Sequence, residues 1–278
     1  MTVTAETKIH DDMLPKMLEA ARQGVKLRKR DLPLEKLKDR VDSREDRRPF
    51  GEALTGTALA VIAEYKRESP SAGQISTRAL QDQVRVYEEN GAAALSVLTD
   101  SKHFGGSLED LQEARDTCDL PILRKDFVVD PYQLYEAAAN GADAVLLIVR
   151  ALVDEDVLRS MYEQARELDL DCLVEVHNEK ELEQALDLDA DIIGINTRDL
   201  DSGVIYDDLV FDLMPRVPTG KTVVAASGIK GESELPELER VGVDAVLIGS
   251  TFMAAKDPAS VVRRFTGALD GTREHELP

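Results

Sequence analysis

The chain has 278 residues, of which 43% are hydrophobic, and this is enough apolar material for one large folded domain or two small ones. Its formal net charge of −20 argues against nucleic acids and anionic membrane surfaces as partners, because like charges repel. No apolar run approaches the ~20 residues that span a bilayer, and the N-terminus has no signal-peptide pattern, so we expect a soluble cytoplasmic protein.

The acidic residues are spread along the chain rather than gathered in one tail. This excess has two interpretations. One is simple solubility, and the other is adaptation to a salt-rich cytoplasm, where ions screen the repulsion between surface charges. We favour the second interpretation, an acidic halophilic protein.

Residues 1–50 are predicted to form an N-terminal helical extension, and residues 51–278 a single catalytic domain. The stretch MLPKMLEAARQGVKLRKRDLP has an amphipathic helical pattern and carries a basic cluster, Lys26, Arg28, Lys29 and Arg30. Such a cluster is usually a solvated surface. The alternative is a helix that covers one end of the next domain and reaches toward an anionic ligand.

Eight short apolar segments rich in β-forming residues follow, and most are separated by helical patterns. Their nearly continuous hydrophobicity is typical of parallel strands buried on both faces. The segments are 59–65, 94–100, 121–127, 144–150, 172–177, 192–198, 222–228 and 245–251.

Helix ends are marked between these segments. Gly91 and Gly141 have the position of C-terminal helix caps, and Asn178 with Glu181 resembles an N-terminal capping box. Eight strands alternating with helices predict an α/β fold, a (β/α)8 TIM barrel. A doubly wound open sheet is the alternative, but no G-x-G-x-x-G pattern follows the first strand.

Charged and polar side chains stand at the ends of several segments, where a barrel of this type places its chemistry. Glu64 and Lys66 are two residues apart in the chain and therefore share a face of the first strand. The others are Lys125 in the third segment, Glu175 in the fifth, and Asn196 and Arg198 in the sixth. Buried ion pairs stabilise poorly because desolvation offsets attraction, so two lysines and two carboxylates at one mouth favour a role in proton transfer.

The last two segments end in glycine and hydroxyl residues. Ser227 and Gly228 end the seventh segment, and Gly249 and Ser250 lie in the eighth. Backbone N–H groups beside glycine can approach an anion closely, and the loops after strands seven and eight form the recurrent phosphate site of these barrels. The predicted ligand is a phosphorylated small molecule.

Seven motifs occur in a fixed order: IAEYKRESPS, LTDSKHFGGSLEDL, PILRKDFVVDPYQ, VEVHN, GINTRDL, SGI and LIGSTFM. Together they closely resemble the indole-3-glycerol phosphate synthase family of tryptophan biosynthesis, over residues 49–255. The resemblance implies a carboxy-lyase that closes the ring of 1-(2-carboxyphenylamino)-1-deoxyribulose 5-phosphate. The product would be indole-3-glycerol phosphate, with loss of CO₂ and water and without a cofactor.

The resemblance also implies roles for particular residues. Lys125 matches the family's general acid, and Glu175 and Lys66 match its candidates for a second acid/base pair, with the division of work between the lysines left open. Glu64 would balance the charge of the lysines, and Asn196 would hydrogen-bond the sugar portion. The expected substrate-binding residues are Ser69, Phe104, Phe127, Arg198, Ser227, Gly228, Gly249 and Ser250, with the two phenylalanines against the anthranilate ring. One departure is Ala226, where the family usually has glutamate.

Other functions stay open at this stage. Phosphoribosylanthranilate isomerase would share the anion site, a Schiff-base aldolase would use an inner-strand lysine as nucleophile, and an inactive assembly subunit is a third alternative. No metal site is expected, because the histidines, His10, His103, His177 and His275, are scattered and the cysteines, Cys118 and Cys172, are too few. We expect a monomer, although the sequence carries no signal for the oligomeric state.

Overall fold

The computed structural model describes residues 13–56 and 58–267. Its centre is a closed barrel of parallel strands, in which consecutive strands pair and the eighth pairs with the first. The strands are β1 Ala60–Tyr65, β2 Ala94–Leu98, β3 Ile122–Lys125, β4 Ala144–Ile148, β5 Asp171–Val176, β6 Ile192–Asn196, β7 Thr222–Ala226 and β8 Ala245–Ile248. Each predicted segment overlaps one of these strands, so the predicted TIM barrel is confirmed.

Helices precede the barrel and connect its strands. They are α1 Met13–Asp31, α2 Leu34–Asp42, α3 Phe50–Ala53, α4 Leu80–Glu89, α5 Leu108–Thr117, α6 Tyr132–Ala139, α7 Glu155–Glu167, α8 Glu179–Asp187, α9 Leu209–Leu213, α10 Leu235–Arg240, α11 Ser250–Ala254 and α12 Pro258–Thr266. None of these described helices is both long enough and apolar enough to cross a bilayer.

The predicted helix ends are present, with one difference in detail. Gly91 and Gly141 follow α4 and α6 with φ of +85° and +91°, a conformation that glycine adopts without strain. Asn178 caps α8 by accepting a hydrogen bond from the Glu181 N–H at 2.9 Å. The Glu181 carboxylate, however, accepts from the N–H of His177 at 2.8 Å rather than from that of Asn178. The capping box is therefore displaced by one residue.

Strand side chains alternate between two apolar layers, because successive side chains point to opposite faces. One layer lies between the strands and the surrounding helices, and it includes Val61, Val145 and Val174. The other fills the barrel interior, and it includes Ile62 and Leu173. At the carboxyl ends of the strands, several inward-facing positions are occupied by polar residues, which lie above this interior layer.

The N-terminal helices contact both ends of the barrel. Leu14 and Met17 of α1 join the interior layer at the carboxyl ends of the strands, and Phe50 and Leu54 join it from the opposite end. The Gly51 N–H donates to Asp171, the first residue of β5, at 2.8 Å, which fixes α3 at that lower end. Both openings of the barrel are therefore covered by residues that precede β1.

The basic cluster of α1 agrees in part with the first predicted alternative, because three of its four side chains are exposed to solvent. Arg28 donates two hydrogen bonds to the buried Glu136 of α6, at 2.6 and 3.1 Å, and Lys29 pairs with Asp130 at 2.7 Å. The cluster does not line the cavity at the barrel mouth. These ion pairs hold α1 against α6, while Met13 and Met17 of the same helix face the cavity.

Asp143, at the start of the segment that leads into β4, joins the N-terminal region to the lower end of the barrel. Its buried carboxylate accepts four hydrogen bonds, from Arg44 Nη2 at 2.6 Å, Arg115 Nη1 at 2.7 Å, and the N–H groups of Ile122 at 2.9 Å and Arg48 at 3.0 Å. The two guanidinium groups are themselves largely buried, with 9% and 8% of their side chains exposed. One carboxylate thus neutralises and organises groups from three parts of the chain.

Candidate active site

A cavity of about 330 Å³ lies at the carboxyl ends of the strands, beneath α1. Every acid/base candidate and every substrate-binding candidate that we predicted from the sequence lines it. The barrel explains this convergence, because parallel strands bring their carboxyl ends to the same rim.

The end of β1 supplies the first ion pair of the cavity. Lys66 Nζ lies 2.7 Å from Oε1 of Glu64, whose side chain is buried. Gly249 leaves the room for this pair, because a Cβ atom there would lie 2.3 Å from Glu64 Oε1. The glycine of the eighth strand end is therefore needed for the position of Glu64.

Lys125 and Glu175 form a second ion pair across the cavity floor, with Lys125 Nζ 3.6 Å from Glu175 Oε2. Burial by itself lowers the pKa of Lys125, but attraction to Glu175 and Glu64 outweighs burial and raises that pKa. Burial by itself raises the pKa of Glu175, but Lys125, His177 and Asn196 together lower it to about 2. The site thus holds a charged ammonium against an ionised carboxylate at neutral pH.

Asn196 and Arg198 stand at the end of β6. The Asn196 Oδ1 atom accepts a hydrogen bond from the Arg198 N–H at 3.1 Å, and Arg198 Nη1 donates to the Gly203 carbonyl at 3.1 Å. Within the described residues Arg198 makes no ion pair, and burial lowers the pKa of its guanidinium. A partly buried cation that faces a cavity without a carboxylate partner can bind an anionic ligand.

The ends of β7 and β8 present backbone rather than charge to the cavity. Ser227 and Gly228 both have positive φ, +66° and +75°, and a Cβ at Gly228 would lie 2.8 Å from Thr197 Oγ1. Ser250 begins α11, and the first N–H groups of a helix have no partner within the helix. These strand ends can therefore donate main-chain hydrogen bonds to a bound anion.

Ser69 lies on a small hairpin that follows β1. The two-residue strands Glu68–Ser69 and Gly73–Gln74 pair in antiparallel fashion, and Ser69 Oγ accepts from the Ala72 N–H at 3.2 Å. The hydroxyl hydrogen of Ser69 can therefore still be donated to a ligand in the cavity.

Apolar side chains also line the cavity. Phe127 is buried and Phe104 is partly exposed, and Leu146, Leu247 and Met17 are among the others. We did not predict the last three from the sequence. The inward alternation of β4 and β8 is a signal for the two leucines, whereas a position of α1 over one end of the barrel was only one of two alternatives.

Ala226, the departure from the family pattern, also lines the cavity. Its side chain is buried, and its backbone is in register with Asn196 on β6 and with Leu247 on β8. A longer side chain at this position would enter the cavity between the acid/base residues and the β8 strand end.

His177 is the main polar neighbour of the site that we did not predict. Its Nε2 atom lies 3.3 Å from Glu175 Oε1, and its side chain is almost completely buried. The i, i+2 spacing of Glu175 and His177 along one strand is the signal that could have indicated the contact.

The described residues hold no group of three or more histidine, cysteine, aspartate or glutamate side chains arranged to bind a metal ion. Cys118 and Cys172 are buried free thiols, and burial raises the pKa of both. His10 and His275 lie outside the described residues.

Comparisons with known proteins place this geometry in a family. The family model described as indole-3-glycerol phosphate synthase matches residues 14–265. A protein of a Nocardioides species with that name is 49% identical over 209 residues, covering 75% of this chain and 80% of the relative. One from a Parafrankia species is 42% identical over 250 residues, covering 90% of this chain and 93% of the relative.

More distant solved structures share the fold. A 3-hexulose-6-phosphate synthase superimposes with a TM-score of 0.59 at 16% identity, covering 76% of this chain and 99% of that one. A thiamine phosphate pyrophosphorylase from Pyrococcus furiosus gives a TM-score of 0.55 at 21% identity, with 75% and 94% covered. At such identities these structures support the barrel alone, whereas the family model spans almost the entire described chain. With its barrel, its ordered motifs and this match, the chain belongs to the indole-3-glycerol phosphate synthase family.

Proposed function

We propose that this cavity closes the indole ring of 1-(2-carboxyphenylamino)-1-deoxyribulose 5-phosphate, giving indole-3-glycerol phosphate, CO₂ and water. The observation that carries the proposal is the pair of lysine–carboxylate contacts, Lys66 with Glu64 and Lys125 with Glu175, inside one cavity. Ring closure needs a proton donor and a proton acceptor at neutral pH, and charged lysines beside ionised carboxylates supply both.

In the first step the ring carbon that bears the carboxylate attacks the ketone carbon, and a carbon–carbon bond forms. The ketone oxygen gains electron density, and Lys125 donates a proton to it. Loss of CO₂ then returns the electron pair of the broken bond to the ring and restores its aromaticity. Elimination of water follows, in which one group of the Glu175 and Lys66 pair protonates the leaving hydroxyl and the other accepts a proton from the substrate.

Binding is divided between the polar and the apolar groups of the cavity. The main-chain groups at Gly228, Gly249 and Ser250 bind the phosphate, with Ser69 and the guanidinium of Arg198 as additional donors. Phe104 and Phe127 receive the aromatic ring, and Asn196 binds the sugar portion. Positive and neutral donors together with apolar surface match a substrate with a phosphate at one end and an aryl ring at the other.

The direction of the Lys125 pKa shift argues against a Schiff-base aldolase. A lysine that acts as a nucleophile needs a lowered pKa, whereas attraction to Glu175 and Glu64 raises the pKa of Lys125 despite its burial. We expect no covalent labelling of Lys125 when borohydride is added in the presence of substrate. Labelling at Lys125 would favour the aldolase.

The direct test is incubation of the purified chain with the carboxyphenylamino deoxyribulose phosphate while indole fluorescence is recorded. The chain contains no tryptophan, so indole emission reports the product without a protein background of the same chromophore. Appearance of that emission, together with release of CO₂, supports the proposal. An unchanged spectrum with a folded protein contradicts it.

The first mutational prediction concerns Ala226. We expect the wild-type chain to be active, because Glu64 and Glu175 balance the lysines and water can replace one lost hydrogen bond. Ala226→Glu should therefore change kcat/KM by no more than about tenfold, as measured by steady-state kinetics at one high salt concentration. Ala226→Gln is the control, because it adds the volume without the charge. A wild type without turnover that gains robust activity from the glutamate would mean that the chain is an inactivated form.

We propose that the net charge of −20 is an adaptation to high salt. The Debye length grows from about 3 Å at 1 M salt to about 30 Å at 0.01 M, so repulsion across the acidic surface strengthens as salt is removed. We expect dialysis into low-salt buffer to unfold the protein, with loss of its far-ultraviolet circular dichroism, and restored salt to recover it. Full stability in low salt would favour the simpler explanation, solubility.

The proposal also includes a location, an oligomeric state and a division of the chain into two parts. A biosynthetic family that acts on a small phosphorylated molecule supports a cytoplasmic location. A monomer as the working unit stays a prediction. The division into an extension, residues 1–50, and a catalytic barrel, residues 51–278, stays a prediction, and the outer ends of both parts lie outside the described residues.

A further inference from the structure

His177 lies between two carboxylates at the end of β5. Its Nε2 atom is 3.3 Å from Oε1 of Glu175, and its Nδ1 atom is 3.1 Å from Oε2 of Glu181. Only 2% of the side chain is exposed, so water cannot easily replace either contact. The ring does not line the cavity, which makes it a neighbour of the site rather than part of its surface.

A buried imidazole between two carboxylates is most stable as the imidazolium. The neutral ring has a single N–H group, so one carboxylate would face a nitrogen lone pair, whereas the charged ring has an N–H group on each nitrogen. Burial alone lowers the pKa of His177, but attraction to Glu175 and Glu181 outweighs burial and raises it, with a smaller opposing effect from Arg150. The charged ring is therefore favoured at neutral pH.

Glu181 is held firmly, so His177 has a fixed partner on its outer side. Its carboxylate accepts from Asn178 Nδ2 at 2.7 Å and from the His177 N–H at 2.8 Å, and Arg150 lies 3.0 Å away. Arg150 in turn pairs with Asp199, in the loop after β6, at 2.9 Å. This chain of contacts connects the end of β5 with the ends of β4 and β6.

The two oxygens of Glu175 have different partners. Oε1 faces His177, whereas Oε2 faces Lys125 at 3.6 Å. Lys125 also experiences the charge of Glu64, and Asn196 helps to lower the pKa of Glu175. The imidazolium of His177 thus holds one oxygen of the Glu175 carboxylate, and the second oxygen faces Lys125.

We propose that His177 is a positioning residue for Glu175, which it keeps ionised and directed at Lys125, and that Glu181 and Arg150 hold His177 in that role. The inference rests on the proposed acid/base role of Glu175. Its consequence is that the site keeps a usable base well below neutral pH, because an opposite charge at this distance lowers a carboxyl pKa.

Two substitutions separate the charge of His177 from its polar character. His177→Gln keeps a polar N–H group without the charge, and His177→Leu removes both. Because protonation of Glu175 becomes easier without the imidazolium, the acid limb of kcat/KM should move to higher pH by about 1–3 units in both variants. In the leucine variant kcat at the pH optimum should also fall about 10- to 100-fold, since neighbours that orient active groups have effects of this size, with KM nearly unchanged.

The matched control is His103→Gln, because His103 also pairs with a carboxylate, Asp100 at 3.1 Å, but has no contact with Glu175. Its acid limb should coincide with that of the wild type. The proposal is overturned if the acid limb of kcat/KM does not move in either His177 variant. It is also overturned if the His103 control shows a shift of equal size.

A second measurement does not depend on turnover or on any variant. We expect the NMR titration of the wild-type His177 ring to show the imidazolium through pH 7, with its pKa above that of an ordinary histidine. A ring that is neutral at pH 7 overturns the inference even if the enzyme is active. A charged ring in a protein without turnover contradicts the proposed function but leaves the His177–Glu175 contact standing.

Discussion

Lys125→Met should lower kcat by about 10²- to 10⁴-fold, the usual range for removal of a general acid. The ammonium group belongs to a residue that lines the cavity and lies 3.6 Å from Glu175, and methionine fills similar volume without a proton to give. The fold should survive, because the lysine reaches the cavity with 17% of its side chain exposed. Steady-state kinetics by indole fluorescence, with circular dichroism of the same preparation, measure both expectations.

Lys102→Met is the matched control for this substitution. Lys102 is exposed on the loop after β2 and does not line the cavity, so the same chemical change should leave kcat within about twofold. If Lys125→Met instead kept more than about a tenth of the wild-type kcat, the role of the general acid would pass to Lys66.

Asp143→Ala should lower the free energy of unfolding by about 3–5 kcal/mol, which is the usual effect of removing one partner from a buried ion pair. The substitution removes the buried carboxylate partner of Arg44 and Arg115 and leaves them only the exposed Asp46, and it removes the acceptor of two main-chain N–H groups. Urea unfolding at a constant high salt concentration measures the change.

Asp46→Ala is the control, because Asp46 pairs with the same two arginines from the surface. Its side chain is 62% exposed, and exposed ion pairs contribute at most about 1 kcal/mol. Equal losses from the two substitutions would contradict the structural role that we assign to Asp143.

The barrel and the rim of its cavity could be predicted because they depend on local patterns. Parallel strands buried on both faces carry recognisable apolar runs, and their carboxyl ends meet whatever the details of the loops. The prediction that Glu64 and Lys66 share a face also required only the two-residue period of a strand. For these residues the position along the chain was sufficient to place the side chain.

The surroundings of the cavity could not be predicted in the same way. The contacts of Arg150 with Glu181 and Asp199 join residues 31 and 49 positions apart, on the ends of different strands. Similarly, a basic cluster on an amphipathic helix fits solvent, an anionic ligand or an acidic helix equally well. Its pairing with α6 depends on where α1 docks, and the sequence pattern of α1 carries no information about that.

The contacts of the N-terminal region also determine the order in which parts of the protein can fold during synthesis. Its partners are synthesised much later: Glu136 follows Arg28 by 108 residues, Asp143 follows Arg44 by 99, and Asp201, which accepts from the Leu14 N–H, follows it by 187. At typical translation rates of about 5–20 residues per second, the last delay is roughly 10–40 s. For that interval the apolar side of α1 has no barrel to cover, so α1 is synthesised before the barrel but is among the last of the described elements to reach its final place.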